Sequence, residues 1–466
     1  ACRYCTAMFS RREVLGALGA GGLAGRLPGL APTDLTYRQL GRTGRWVVPF
    51  GLGGQASLQW TPPGIEPEDI PVRAVELGIN YLDTANAYGT SQRHYGAAFD
   101  RLGLKPGRAD YNAALRERLF VATKTGRRTA GEAVTELLYS LTVMFGDGRG
   151  GIPEGAYLDS IQIHNLTSLQ EVERIYQPAG ALAGLLDYRD GTNGTGLNPE
   201  RRRYLRHIGI TGHQSSPVLM NALQRDEAGI VDTLLVALNA NDRRYLPHQN
   251  NVLPLAAARG MGVIAMKVFA DGVFYGKPGR FSSAAGDVVL TVGRPFGVPS
   301  ADLIRYPLSL AGVSCAIAGI GRIDRLNPEA DQAAANLLAS QLPPASPLEL
   351  RRIEEAVAEQ LGTSTNYFQE QARGLVQPTG VEVERDADRV TVRWNTALAG
   401  AEPLRSYRIY AGDRLVASLP FQPQTTLAPL YAVLPAAAIT AEPVRVVASE
   451  ALPSPPRPPR SRTSGV

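Results

Sequence analysis

From Tyr37 onward, short apolar runs that end on a glycine or a polar residue alternate with longer stretches of helical periodicity. This alternation constrains the fold more than any other feature. A strand followed by a helix returns to the sheet as a parallel neighbour, with a right-handed crossover. The apolar runs end near Gly53, Asp83, Lys124, His164, Gly212, Asn239, Lys267 and Gly319. Eight such ends predict an α/β chain folded as a (β/α)8 TIM barrel. The stretches 71–77 and Ala130–Phe145 read as intervening helices, and Pro347–Leu361 as a closing amphipathic helix. GDGRGGIPEG and the RDGTNGTGLNPE region read as loop insertions, and variable loops are where such barrels take their substrate contacts.

A second unit begins near Gln377-Pro378. VEVERDADRVTVRWNT alternates with period two, SYRIYAGDRLVASL has a hairpin pattern across Gly412-Asp413, and VRVVASEA closes the run. Trp394 and Tyr407 are placed as core aromatics of a small all-β sandwich. The stretch resembles a fibronectin type III domain. The expected organisation is an N-terminal signal region over 1–35, the barrel over 36–361 and a linker over 362–377. The sandwich follows over 378–450, and a proline-rich, disordered tail over 451–466.

Bulk properties narrow the function. The 466 residues are 44% hydrophobic and 20% charged, with a formal net charge of +5. The arginines are scattered and not interleaved with aromatics, which argues against nucleic-acid binding. Five histidines form no ligand-spaced cluster with acids, so no metal site is expected. Cys2 and Cys5 have CxxC spacing, but no βαβ pattern follows and no second ligand pair exists. They precede Met8, and residues 1–7 are expected to be upstream translation. Cys315 alone then remains, and no disulfide framework is possible. Met8-Phe9-Ser10-Arg11-Arg12-Glu13-Val14-Leu15 leads into a Gly/Ala/Leu stretch and a small-residue end. SRREVL resembles a twin-arginine (Tat) export signal. It implies a periplasmic or secreted protein and contact with the Tat machinery, with a cytoplasmic location if the signal is unused. The apolar run is too short and glycine-rich to span a membrane. GAGGLA also fits a dinucleotide pattern, but no strand precedes it and no acidic partner follows in register.

Four reactive side chains stand at or just after consecutive strand ends: Asp83 and Tyr88 in YLDTANAYG, Lys124 in LFVATKTG and His164 in DSIQIHN. Reducing a carbonyl takes a hydride on carbon and a proton on oxygen. A protein supplies no hydride, so a nicotinamide-type cofactor is implied. Tyr88 is the candidate proton donor and Lys124 the cation that lowers its pKa. Asp83 is the lysine's partner, and His164 orients the carbonyl oxygen.

TYRQLGRTGRWVVPFGLGG, AVELGINYLDTANAYG, LFVATKTG, YLDSIQIHN, RHIGITGH and GVIAMKVFADG, in this order, resemble the aldo-keto reductase superfamily from about Thr36 to Leu361. The resemblance implies a (β/α)8 barrel reducing aldehydes and ketones, or oxidising the corresponding alcohols or sugars, with NADP(H) in preference to NAD(H). The family's tetrad falls on Asp83, Tyr88, Lys124 and His164. Its cofactor contacts fall on Gly53, Thr211, Asn239, Lys267, Arg322 and Arg325. Some of the pattern departs: a Ser-Asn pair becomes Thr211-Gly212 followed by His213, a glutamine becomes Leu235, and a Glu-Asn pair becomes Pro328-Glu329. Those departures motivate a different reading, an exported, non-catalytic carbohydrate- or envelope-binding protein attached through its C-terminal domain. The four retained tetrad positions argue against it.

Overall fold

Eight parallel strands close into a barrel: β1 (Phe50–Gly53), β2 (Tyr81–Asp83), β3 (Phe120–Thr125), β4 (Leu158–Ile163), β5 (Leu205–Gly212), β6 (Thr233–Ala237), β7 (Gly262–Met266) and β8 (Val313–Ala318). Strand β8 pairs with both β1 and β7, through Ala316 opposite Phe50 and Val313 opposite Val263, which closes the ring. The computed structural model describes residues 35–244, 247–290, 298–361 and 374–451. The export signal with Cys2, Cys5, Arg11 and Arg12, the GAGGLA stretch, most of the 362–377 linker and the tail from 452 lie outside the described residues.

Both faces of each strand are covered, so FVATKT and LDSIQI are buried at every position. Period-two alternation still decides direction. Tyr81, Phe120 and Ala122 point inward, where they pack with Leu235, Ile264, Met266, Cys315 and Ile317 as the barrel interior. Leu82 and Val121 point outward against the helical layer. The inward set continues to Asp83 and Lys124, two residues beyond Tyr81 and Ala122, and so brings both to the C-terminal mouth.

An antiparallel pair, Arg38–Gln39 with Trp46–Val47, plugs the opposite end. Its fully buried Leu40 joins the interior cluster. Gly41 makes the plug possible: its φ is +50°, and a Cβ there would lie 2.1 Å from the Gly262 nitrogen. The 146–155 insertion precedes β4 and the RDGTNGTGLNPE loop precedes β5, so both lie at the N-terminal ends of the strands. They face away from the mouth, contrary to the expectation that insertions would supply substrate contacts.

Beyond the helix Pro347–Leu361, two three-stranded antiparallel sheets form the second unit. One has the order β9 (Thr379–Arg385), β10 (Arg389–Asn395), β13 (Leu430–Pro435); the other β12 (Arg414–Pro420), β11 (Leu404–Ala411), β14 (Val444–Glu450). Between them Val392, Trp394, Tyr407, Ile409 and Val446 form the core. Trp394 and Tyr407 meet at 5.5 Å between centroids, and the Tyr407 hydroxyl accepts from the Ala397 N–H. Trp394 is 2% exposed, a packing residue and not a surface platform. No helix among the described residues is long and apolar enough to cross a membrane.

Candidate active site

The mouth of the barrel opens into a cavity of about 420 Å³. Asp83, at the end of β2, lines it, and Lys124, near the end of the neighbouring β3, meets Asp83 directly behind the wall. The Lys124 Nζ donates to Asp83 Oδ2 at 2.6 Å and to the Thr84 carbonyl at 2.8 Å. Both side chains are almost fully buried, at 1% and 3% exposure. Burial raises the Asp83 pKa despite Lys124, and burial lowers that of Lys124 despite Asp83. The other carboxylate oxygen, Asp83 Oδ1, is buried with no hydrogen-bond partner among the described residues. Such an orphan acceptor at a cavity wall calls for a donor from a ligand.

Tyr88 arrives on the loop after β2. That loop is pinned to β3 because the Asn86 backbone N–H and side-chain amide both donate to the Lys124 carbonyl, at 3.1 and 3.0 Å. The Lys124 Nζ consequently lies 4.6 Å from the Tyr88 ring centroid. His164, one residue beyond β4, meets Tyr88 edge-on at 5.6 Å between centroids. Burial, followed by the charges of Lys124, Arg128 and Lys267, holds the His164 pKa down to about 3, so its imidazole is neutral. The Tyr88 phenol is pushed well above its usual value by burial, and then by Asp83 and Asp271. This differs from the expectation that Lys124 lowers it. Asp83 pairs with that ammonium at 2.6 Å and offsets part of its charge, so burial of the phenol outweighs it. Tyr88 is therefore a phenol, with its proton available, at neutral pH.

The other expected positions divide. Gly53 and Lys267 line the cavity. Lys267 has a left-handed backbone, φ 58°, and its Nζ donates to Asp271 Oδ1 at 3.1 Å and sits over the Phe281 ring. Thr211 does not line the cavity; its buried hydroxyl accepts from the Asn165 N–H at 2.8 Å and braces the loop that carries His164. Asn239 is buried behind the lining and donates to Asp242 Oδ2 and to the Lys267 carbonyl. Arg322 and Arg325 stand outside the cavity, about half exposed, and pair with Asp324 and Glu76. Pro328 and Glu329 are also outside the lining, whereas Gln332 and Asn336 of the next helix are part of it.

Several lining residues escaped the sequence reading. Gln55, Phe281 and Asn336 come from loops and a helix with no motif around them, and Asp271 stands in the GVIAMKVFADG string without having been singled out. His213 carried a signal, since it directly follows the altered Thr211-Gly212 pair. Its Nδ1 lies 2.9 Å from Asn165 Oδ1, and its ring is 6.5 Å from that of His164.

Residues 51–173 match the aldo/keto reductase family model. The matched stretch contains all four of Asp83, Tyr88, Lys124 and His164. No curated protein is significantly similar. Among solved structures, an aldo-keto reductase from Bacillus halodurans in its holo form is 21% identical, with 69% of this chain and 96% of that chain covered and a TM-score of 0.46. An aldo-keto reductase from Klebsiella pneumoniae in complex with NADPH is 17% identical, with 71% and 98% covered and a TM-score of 0.44.

Proposed function

We propose that the chain is an NAD(P)(H)-dependent oxidoreductase that reduces aldehydes or ketones, or oxidises the corresponding alcohols or sugars. The observation that carries this reading is the contact of a buried Lys124–Asp83 pair with Tyr88, itself edge-on to a neutral His164. A bound reduced nicotinamide supplies the hydride. The cavity suits such a group: its floor is apolar at Leu235, Met266 and Ile317, and Gly53 and Gly319 bring bare backbone to its wall. The orphan Asp83 Oδ1 offers an acceptor for a ligand hydroxyl. NADP(H) is the preferred form of the cofactor.

The chain's own residues manage the proton. Tyr88 donates its hydroxyl hydrogen to the carbonyl oxygen as charge develops there. Lys124, 4.6 Å from that ring, stabilises the phenolate that results. Asp83 keeps Lys124 charged and in place. Neutral His164 presents a ring N–H toward the same oxygen and fixes its direction without carrying a charge of its own. Nicotinamide turnover over a panel of carbonyls and sugars tests the reading. Tyr88→Phe is expected to lower kcat/KM by about 10²–10⁴-fold while cofactor affinity, followed by fluorescence titration, holds. Full activity in that variant would remove the role given to Tyr88. Failure of wild-type protein to bind any nicotinamide nucleotide would favour the non-catalytic binding protein.

A further inference from the structure

The β-sandwich is joined to the barrel through buried, directional contacts. In the helix His248–Ala258, Asn251 Nδ2 donates to the Ala399 carbonyl at 3.0 Å, and Asn251 Oδ1 accepts from the Ala399 N–H at 2.8 Å. Neighbouring Asn250 donates to the Gly400 carbonyl at 3.1 Å. Gln224 donates to the Gln424 carbonyl at 2.9 Å, and Arg259 to that of Thr425 at 2.9 Å. Asn250, Asn251, Gln224 and Gln424 are all buried. Buried amides satisfied across a boundary specify one docking geometry, which a tethered module does not need.

One strand of this interface reaches the cavity. Arg243, just past β6, donates through Nε to the Ala401 carbonyl at 2.6 Å and through its terminal nitrogens to Glu402 and Glu354. Arg351 completes the group by donating to Glu402 as well. Two of the three contacts of Arg243 thus come from the sandwich. The residue before it, Asp242, accepts from Asn239 Nδ2 at 2.7 Å, and the same amide donates to the Lys267 carbonyl at 3.2 Å. Lys267 holds a left-handed backbone, which is strained for a non-glycine residue, so its conformation depends on surrounding contacts. Lys267 lines the cavity, with its ammonium held by Asp271 and over the ring of Phe281, two further lining residues.

We infer that Glu402 and Arg243 are positioning residues for Lys267, so that the C-terminal sandwich is a working part of the barrel's site and not a separate attachment device. Its functional consequence rests on the oxidoreductase reading; the coupling itself does not. The sandwich clamps Arg243, Arg243 sets the turn that carries Asp242, and Asp242 orients the Asn239 amide that caps the Lys267 carbonyl. Lys267 then meets the ligand from a fixed backbone.

The test uses the full chain with Glu402→Ala and, as a milder change that keeps size and an acceptor, Glu402→Gln. Hydrogen exchange around 239–242 and 266–272 is expected to speed up by about 10-fold in Glu402→Ala and less in Glu402→Gln, with the strands of the barrel unchanged. The carbonyl or cofactor KM is expected to rise by about 10-fold with kcat within about threefold. In a Lys267→Ala background the further effect of Glu402→Ala on KM is expected to fall below about twofold, because both act through one group. Unchanged exchange around Lys267, or effects of the two substitutions that simply multiply, would overturn the inference. If Glu402→Ala loses its melting transition, Glu402→Gln decides by the same criteria. Faster exchange around Lys267 in a protein whose wild type turns over no nicotinamide would leave the coupling standing and remove the oxidoreductase reading alone.

Discussion

At the scale of single residues, the site is a balance between burial and pairing. Lys124 and Asp83 are both nearly inaccessible, and burial outweighs attraction in the pKa of each. Removing one partner strands the other charge. Lys124→Met is expected to cost about 3–5 kcal/mol in denaturant unfolding, and Lys124→Met with Asp83→Asn to regain most of that without regaining turnover. The histidines set a second expectation. Burial holds His164 at about 3 and His248 at about 4 in the folded chain, against 6.5 as the reference. The unfolded chain therefore binds more protons between those values. The stability that neutral histidines contribute is complete above about pH 6.5 and is lost as pH falls toward 3. Melting temperature against pH measures this, and replacing His248 by Gln is expected to flatten part of the decline.

At the scale of elements, alternation within strands does most of the positioning. Tyr81 and Asp83 share the inward face of β2, as Phe120, Ala122 and Lys124 share that of β3, so the residues that fill the barrel also aim the reactive pair. The plug at the far end holds that interior in place. Gly41→Ala forces a Cβ to 2.1 Å from the Gly262 nitrogen at a positive φ, and relief requires the plug to withdraw from β7. A loss of about 2–4 kcal/mol is expected in chemical denaturation, with the cavity residues unaltered in sequence. The short apolar runs and their polar ends made β2 and β3 readable, and with them Asp83 and Lys124. They did not make Thr211 or Asn239 readable as supports. Both sit beside strand ends as a cofactor contact would, and only the packed loops show that Thr211 faces Asn165 and Asn239 faces Asp242 and Lys267.

At the scale of the whole molecule, the barrel and the sandwich are one assembly through Asn250, Asn251, Gln224 and Arg243. We propose that this assembly is exported folded, on the twin-arginine pattern at Arg11-Arg12, to the periplasm or beyond. A route that carries folded proteins would let the cofactor be acquired before export. Fractionation of cells expressing the chain checks this: replacing both arginines by lysine is expected to leave the protein in the cytoplasm. Equal export of that variant would end the proposal.

The sequence by itself determined the parallel barrel, the small all-β unit after it and the four side chains, Asp83, Tyr88, Lys124 and His164, that the fold brings together. Each of these is written in local information: apolar periodicity, turn residues and short strings around strand ends. Tertiary structure alone decided which partners those residues have. Arg322 and Arg325 were expected as cofactor contacts, yet they stand half exposed outside the cavity, beside Asp324 and Glu76. Lys124 was expected to bring the Tyr88 phenol down toward working pH, yet burial outweighs an ammonium that Asp83 already pairs. The glycine-rich insertions were expected at the ligand, yet the direction of β4 and β5 puts them at the other end. Charge, burial and proximity are sums over neighbours distant in the chain. No spacing within a strand records that Asn251 faces Ala399, 148 positions away, or that Glu402 reaches the turn behind Lys267.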